Sequence, residues 1–198
     1  MERKTHNIAL LASGSGSNAE KIAHYFDKSD QIKVKLLLSN RRKAGVFDRF
    51  EKFPTVEQAY LPKEQFEDGD ELIQLLEEKK IDYVILAGFL LKIPKKLVAR
   101  YPAHILNIHP ALLPKYGGKG MYGINVHEAV LQAQEKESGI SIHLVNEAYD
   151  EGSLLFQAKC SIEGLANAQE IAAKVLLLEH QHYPKVIEDY ILKLRTKQ

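Results

Sequence analysis

The run Ile8-Ala9-Leu10-Leu11-Ala12-Ser13-Gly14-Ser15-Gly16-Ser17-Asn18-Ala19 decides the fold. Its first five residues are all apolar, which suits a strand buried on both faces, as in a parallel sheet. Glycine, serine and asparagine then make a tight turn, and Ala19 to Phe26 carries helical periodicity. A strand that feeds a glycine-rich turn into a helix is the repeating unit of an α/β chain.

The same alternation continues outward from this run. Val34 to Leu38 predicts a second strand, stopped by Ser39-Asn40-Arg41-Arg42, and Gly45 to Phe53 a short helix before Pro54. Leu72, Leu75 and Leu76 form an apolar stripe on a charged helix running to about Lys80. Tyr83 to Ala87 reads as a buried strand ending at Gly88-Phe89, and Pro94 opens a helix at its favoured first position. Ile105 to His109 is the next strand, stopped by Pro110. Pro114 to Asn125 holds four glycines and little periodicity, so a loop is expected there. Val126 to Glu137 is expected to be helical. Ile140 to Val145 alternates as a half-exposed strand would, and Ser153 to Ile162 predicts one strand more. Asn167 is placed to cap a long helix on which Ile171, Val175 and Leu178 share a face, and Pro184 is expected to end or kink it before Ile187 to Leu194. The expected fold is α/β with a mostly parallel, helix-flanked sheet and an antiparallel C-terminal portion. With no repeat or linker, residues 1–198 are expected to form a single domain.

Twenty-seven Lys and Arg against 26 Asp and Glu leave a net charge of +1, which argues against a general nucleic-acid binder. A small anion needs only a local site. Cys160 is the only cysteine, so no intrachain disulfide or cysteine zinc cluster forms, and a reducing compartment is favoured. The charged lead-in Met1 to Asn7 and the short apolar run after it are not expected to act as a signal peptide. No stretch approaches the roughly 20 apolar residues that span a bilayer. A soluble, cytoplasmic protein is expected.

Gly14-Ser15-Gly16-Ser17-Asn18-Ala19 fits G-x-G-x-x-A between a strand and a helix. Backbone N–H groups there suit a phosphate, helped by serine hydroxyls, or the pyrophosphate of a dinucleotide. A dinucleotide site expects an acid roughly 20 positions on. Leu38-Ser39-Asn40-Arg41-Arg42 has none, although an Arg can accept the 2′-phosphate of NADP. A Walker-type loop is excluded because no Gly-Lys-Ser/Thr follows. A tight turn with no ligand also fits the pattern, and the serine content favours a phosphate monoester.

Asn107 and His109 lie two apart on a strand, so both point to one face, at the strand end where α/β sheets bind ligands. The glycine loop follows a strand end too, so both are expected to open onto the same rim. Acyl or formyl transfer to an amine needs donors for a tetrahedral oxyanion and a path for a proton. An amide and an imidazole supply these, and Asp150 is placed to orient the ring and raise its pKa. The bland alternatives are a structural histidine and a solvated turn aspartate. His109, His127 and His143 are too spread for a sequence-encoded metal motif, and His180 and His182 face different ways on a helix, so no metal is expected.

The stretch Asn107-Ile108-His109-Pro110-Ala111-Leu112-Leu113-Pro114-Lys115-Tyr116 resembles the signature of the formyltetrahydrofolate-dependent formyltransferase family. Leu86-Ala87-Gly88-Phe89, Ser141-Ile142-His143-Leu144-Val145 and Tyr149-Asp150-Glu151-Gly152 resemble its other blocks, and the likeness runs from Ile8 to Pro184. Ser13-Gly14-Ser15-Gly16-Ser17-Asn18 matches the phosphate loop of the branch that formylates 5′-phosphoribosylglycinamide in purine biosynthesis.

The resemblance implies a Rossmann-like domain with its site between a phosphate-binding and a folate-binding half. It implies direct transfer of the formyl group of 10-formyltetrahydrofolate, a co-substrate, to the amine of glycinamide ribonucleotide. Asn107, His109 and Asp150 are the implied catalytic trio, with Asp150 keeping His109 protonated. Gly14, Ser15, Gly16, Ser17 and Asn18 are implied to hold the phosphate, and Glu179 the ribose hydroxyls. Leu90, Leu91, Lys92 and Ile93, with Asn107, Glu147 and Tyr149, are implied to line the pterin pocket. Leu91 and Lys92 stand where the family often has an arginine, as does Gln65, with Lys63 its nearest base. The loop Gly117 to Gly123 is expected to act as a lid. The expected partners are the two small substrates, with no nucleic acid and no membrane, and the chain acts as a monomer or weak homodimer. The rival functions are an NADP-dependent reductase using the glycine loop with Arg41-Arg42, a catalytically silent binding module, and a deformylase releasing formate.

Overall fold

The computed structural model describes residues 5–194, so Met1 to Lys4 of the charged lead-in lie outside the described residues. The strands are β1 (His6–Leu11), β2 (Ile32–Ser39), β3 (Glu57–Tyr60), β4 (Tyr83–Leu86), β5 (Ile105–His109), β6 (Glu137–Leu144) and β7 (Leu154–Ser161). The helices are α1 (Ser17–Phe26), α2 (Val46–Phe50), α3 (Lys63–Asp68), α4 (Asp70–Glu78), α5 (Lys95–Arg100), α6 (Ile124–Gln132) and α7 (Ala168–Leu194). The strands join in one mixed sheet in the order β3-β2-β1-β4-β5-β6-β7. The α/β expectation holds. β1 to β4 pair in parallel, and β6 and β7 pair antiparallel.

The described residues fall into two compact units, one from the chain through Leu106 plus the stretch from Glu188 on, the other Asn107–Ile187. In the first unit, Ile8 to Leu11 and Leu36 to Leu38 have no exposed surface, as continuous apolar strands require. On α1, Ala19, Ile22, Ala23 and Phe26 turn inward at helical spacing. Glu20 on the same helix bonds Arg49 and Lys52. The tail of α7 is tied down by Tyr190, whose hydroxyl donates to the Ala103 carbonyl at 2.8 Å.

In the second unit, Asn167 caps α7 as expected. Its Oδ1 accepts from the Glu170 amide at 2.9 Å, while the Glu170 carboxylate accepts from the Ala166 amide at 2.9 Å. Pro184 does not end the helix, which continues to Leu194. The helix expected to reach Glu137 stops at Gln132, and Glu137 opens β6 instead. β6 is not half-exposed, because it lies between β5 and β7, and residues 138–143 are all buried. Pro94 precedes α5 as its cap, one place earlier than predicted. β3 and α3 have no counterpart in the sequence expectations.

Candidate active site

The glycine loop joins β1 to α1 in the first unit. Gly16 has φ +76°, and a Cβ there would lie 2.2 Å from Val46 Cγ2, so only glycine lets α2 close against the loop. The Val46 amide donates to the Gly14 carbonyl at 3.1 Å, which fixes the turn. Gly14 and Ser15 are exposed, Ser17 is half-buried, and Asn18 is buried on the first turn of α1. The first turn of a helix leaves N–H groups without intrahelical acceptors, which is the chemistry of an anion site. In the same unit, Leu90 to Ile93 follow β4 as irregular backbone, with Leu90 and Lys92 exposed and Ile93 buried.

The second unit gathers Asn107, His109 and Asp150. Asn107 and His109 lie at the C-terminal end of β5, two residues apart, and both reach the Asp150 carboxylate. Asn107 Nδ2 is 3.5 Å from Asp150 Oδ1, and His109 Nδ1 is 3.6 Å from Asp150 Oδ2. The Gly118 amide donates to Asp150 Oδ2 at 2.9 Å. The other ring nitrogen, His109 Nε2, lies 2.6 Å from the Tyr116 carbonyl oxygen.

Backbone strain marks the same place. Asp150 and Tyr116 both take left-handed conformations, at φ +55° and +57°. The turn that presents Asp150 closes at Gly152, where a Cβ would sit 1.6 Å from the Leu144 carbonyl oxygen. Leu113, Pro114, Gly118, Tyr149, Asp150 and Leu154 line a cavity of about 510 Å³.

His143, which the sequence raised only as a metal candidate and within a family block, also belongs to this cluster. Its Nε2 lies 3.1 Å from Asn107 Nδ2 and 3.5 Å from Asp150 Oδ1, and its Nδ1 lies 2.9 Å from the Leu144 carbonyl. That carbonyl only accepts, so Nδ1 carries the proton and Nε2 accepts from Asn107. The β6–β7 register shifts beside it, with Leu155 of β7 passed over, so that His143 pairs with Leu154. The available signal was the period of two that puts Ser141 and His143 on one face of β6.

Burial pushes the His109 pKa below its ordinary value. Asp150 and the Tyr116 carbonyl pull it upward without overcoming that, and His143 adds to the lowering. The expectation that Asp150 keeps the ring protonated meets an opposing force: burial lowers the ring's pKa further than Asp150 raises it. Burial acts to raise the Asp150 carboxyl, but His143 first, then the Gly118 amide and His109, outweigh it and hold it below the usual range. The Coulomb attraction between the pair favours charge on both. Desolvation defeats it at the ring and not at the carboxylate.

Of the other expected site residues, Tyr149 is 40% exposed and lines the cavity, Glu147 is exposed, and Glu179 is buried on α7 near Tyr183. Among the described residues no group of three or more His, Cys, Asp or Glu side chains is arranged to hold a metal ion.

The family model described as formyl transferase matches residues 6–187, nine-tenths of the chain. The chain belongs to the formyl transferase family. One relative is the chloroplastic phosphoribosylglycinamide formyltransferase of Arabidopsis thaliana, 40% identical over 194 residues that cover 94% of this chain and 65% of that protein. The phosphoribosylglycinamide formyltransferase of Escherichia coli is 33% identical over 188 residues, covering 91% of this chain and 85% of that one. The solved phosphoribosylglycinamide formyltransferase of Bacillus halodurans superposes with a TM-score of 0.81 at 33% identity, covering 94% of each chain. The chain spans 65% and 59% of the lengths of the two plant relatives it matches. As a formyl transferase, it carries its Asn-x-His pair and its glycine loop at the ends of β5 and β1.

Proposed function

We propose that the chain is a phosphoribosylglycinamide formyltransferase, acting in de novo purine (IMP) biosynthesis. It transfers the formyl group of 10-formyltetrahydrofolate to the amine of 5′-phosphoribosylglycinamide. The observation that carries this is the meeting of Asn107 and His109 on one carboxylate, Asp150, in a chain whose named relatives share the activity.

The neutral amine attacks the formyl carbon, and the carbonyl oxygen becomes an oxyanion. Asn107 Nδ2 stabilises it by exchanging its long contact to Asp150 for one to the oxyanion. Tyr116 offers His109 an acceptor, so the neutral ring keeps its proton on Nε2, and Nδ1 is the basic nitrogen. Nδ1 takes the proton lost by the amine, directly or through a water, and returns it to N10 as the C–N10 bond breaks. The oxyanion and Asp150 stabilise the transient imidazolium, which burial alone disfavours. The glycine loop from Gly14 to Asn18 holds the ribonucleotide phosphate, and Glu179 its ribose hydroxyls. Leu90 to Ile93, with Asn107, Glu147 and Tyr149, take the pterin. Orientation of two bound substrates supplies much of the rate.

We place this activity in residues 1–198 as one formyltransferase domain, working as a monomer or weak homodimer without nucleic acid or membrane. No helix among the described residues is long and apolar enough to cross a membrane. The compartment we propose is cytoplasmic, although the names of the two plant relatives place them in the chloroplast. Purified protein given 10-formyltetrahydrofolate and glycinamide ribonucleotide is expected to form N-formylglycinamide ribonucleotide and tetrahydrofolate. Formate release without an acceptor, or no turnover, rejects this function.

A further inference from the structure

Ser13 ends β1's run into the glycine loop and is 1% exposed. Its hydroxyl donates to Asn40 Oδ1 at 2.6 Å and accepts from the Leu90 amide at 2.9 Å. Its own amide donates to the Gly88 carbonyl at 3.0 Å. One side chain thus ties together the loops that follow β1, β2 and β4. The 2.6 Å separation is that of an O–H···O bond and is short for an amide nitrogen, which fixes Asn40 with its oxygen toward Ser13. The bonds run in one direction, from Leu90 N–H to Ser13 O–H to Asn40 oxygen, so each polarises the next.

Residues 88–93 have no ladder or helix of their own. Ser13 bonds this backbone at two places, the Gly88 carbonyl on one side and the Leu90 amide on the other. We propose that Ser13 is a positioning residue for the pterin side of the site: its hydroxyl sets the backbone of Leu90 to Ile93 from within the phosphate loop. This rests on the function proposed above, in which that segment meets the folate. It gives Ser13 a role distinct from the phosphate contacts assigned to Gly14 through Asn18.

Ser13→Ala removes the acceptor of the Leu90 amide and leaves the backbone donors of the glycine loop in place. The KM for 10-formyltetrahydrofolate is expected to rise roughly three- to tenfold, the worth of one such bond, with kcat and the KM for glycinamide ribonucleotide within about twofold. The Leu90 amide is expected to exchange faster with solvent deuterium than in the unaltered protein. Asn40→Ala, at a half-buried position, removes only the far acceptor of the chain, and a smaller shift of the same sign is expected. It serves if Ser13→Ala does not fold. Equal rises in both KM values, or an unchanged folate KM in a folded variant, overturn the proposal. If the unaltered protein transfers no formyl group, the proposed function fails, and the exchange measurement decides alone: unaltered protection of Leu90 in Ser13→Ala then rejects the positioning role.

Discussion

Asn107 Nδ2 and His143 Nε2 face each other at 3.1 Å, and the Asp150 carboxylate lies 3.5 Å from both. The amide is held by an imidazole whose own proton is committed to the Leu144 carbonyl. The amide's N–H₂ end is therefore fixed between His143 and Asp150 before any substrate arrives, which is the preorganisation that the proposed oxyanion role requires.

Asn107→Ala and His109→Ala are each expected to lower kcat by roughly 10²-fold or more. The double variant is expected to fall well short of the product of the two losses, because both act on one tetrahedral centre. Steady-state assays with both substrates saturating test this. Near-normal turnover in either single variant would falsify its assigned role.

His143→Ala is expected to move the acid limb of kcat/KM to higher pH. His109 lies low chiefly through burial, with His143 adding to the lowering, and at Asp150 the neighbouring His143 opposes burial. Removing His143 relaxes both downward shifts, so both groups take up protons at higher pH. A limb that stays in place or moves to lower pH contradicts these electrostatics.

The lowered His109 pKa also sets a stability trend. A base whose folded pKa lies below its unfolded value of about 6.5 binds more protons when unfolded, so the fold loses stability as pH falls below that value. His109→Gln removes this contribution. Denaturant unfolding is expected to show a shallower loss of stability for the variant than for the parent as pH falls below about 6.5. Parallel pH profiles would refute it.

Gly152→Ala is expected to destabilise the fold by roughly 1–3 kcal/mol, because the Leu144 carbonyl oxygen occupies the space of a Cβ and backbone cannot swing aside cheaply. Loss of activity at temperatures where the variant remains folded is expected as well, since the turn carries Asp150. A melting temperature equal to the parent's excludes this account.

Gly16→Ala sets its methyl group against Val46 at a backbone angle that disfavours side chains. The turn must shift, and with it the amides proposed to hold the phosphate. The KM for glycinamide ribonucleotide is expected to rise about tenfold with the folate KM little changed. The reverse pattern would assign the loop to the wrong substrate.

The sequence was most legible where one force dominates. β4 and the inner parts of β1 and β2, Ile8 to Leu11 and Leu36 to Leu38, are continuous apolar runs, and burial on both faces is the only stable use of them. β3 escaped notice because Glu57-Gln58-Ala59-Tyr60 is an exposed edge strand with almost no apolar signal, and α3 because it buries only Phe66. β6 was misread because its polar residues suggest a wet face. Ser141 is instead fully buried, donating to the Ala111 carbonyl at 2.7 Å and accepting from the Leu113 amide at 2.9 Å. The convergence of Asn107, His109 and Asp150 could be anticipated from strand alternation and the loop that follows β6. The resting proton on His109 could not. It depends on how deeply the ring is buried and on a backbone carbonyl from a loop with no sequence code for its shape.

The single cysteine has a practical meaning once its surroundings are known. Cys160 lies on β7, opposite Ser138 of β6, and is half-buried. Burial pushes its thiol up, so little of it is thiolate at neutral pH. Maleimide or iodoacetamide should therefore label it slowly at pH 7 and faster under alkaline conditions, and at one known place. A fluorophore there becomes a reporter on the β6–β7 hairpin, free of competing sites elsewhere in the chain.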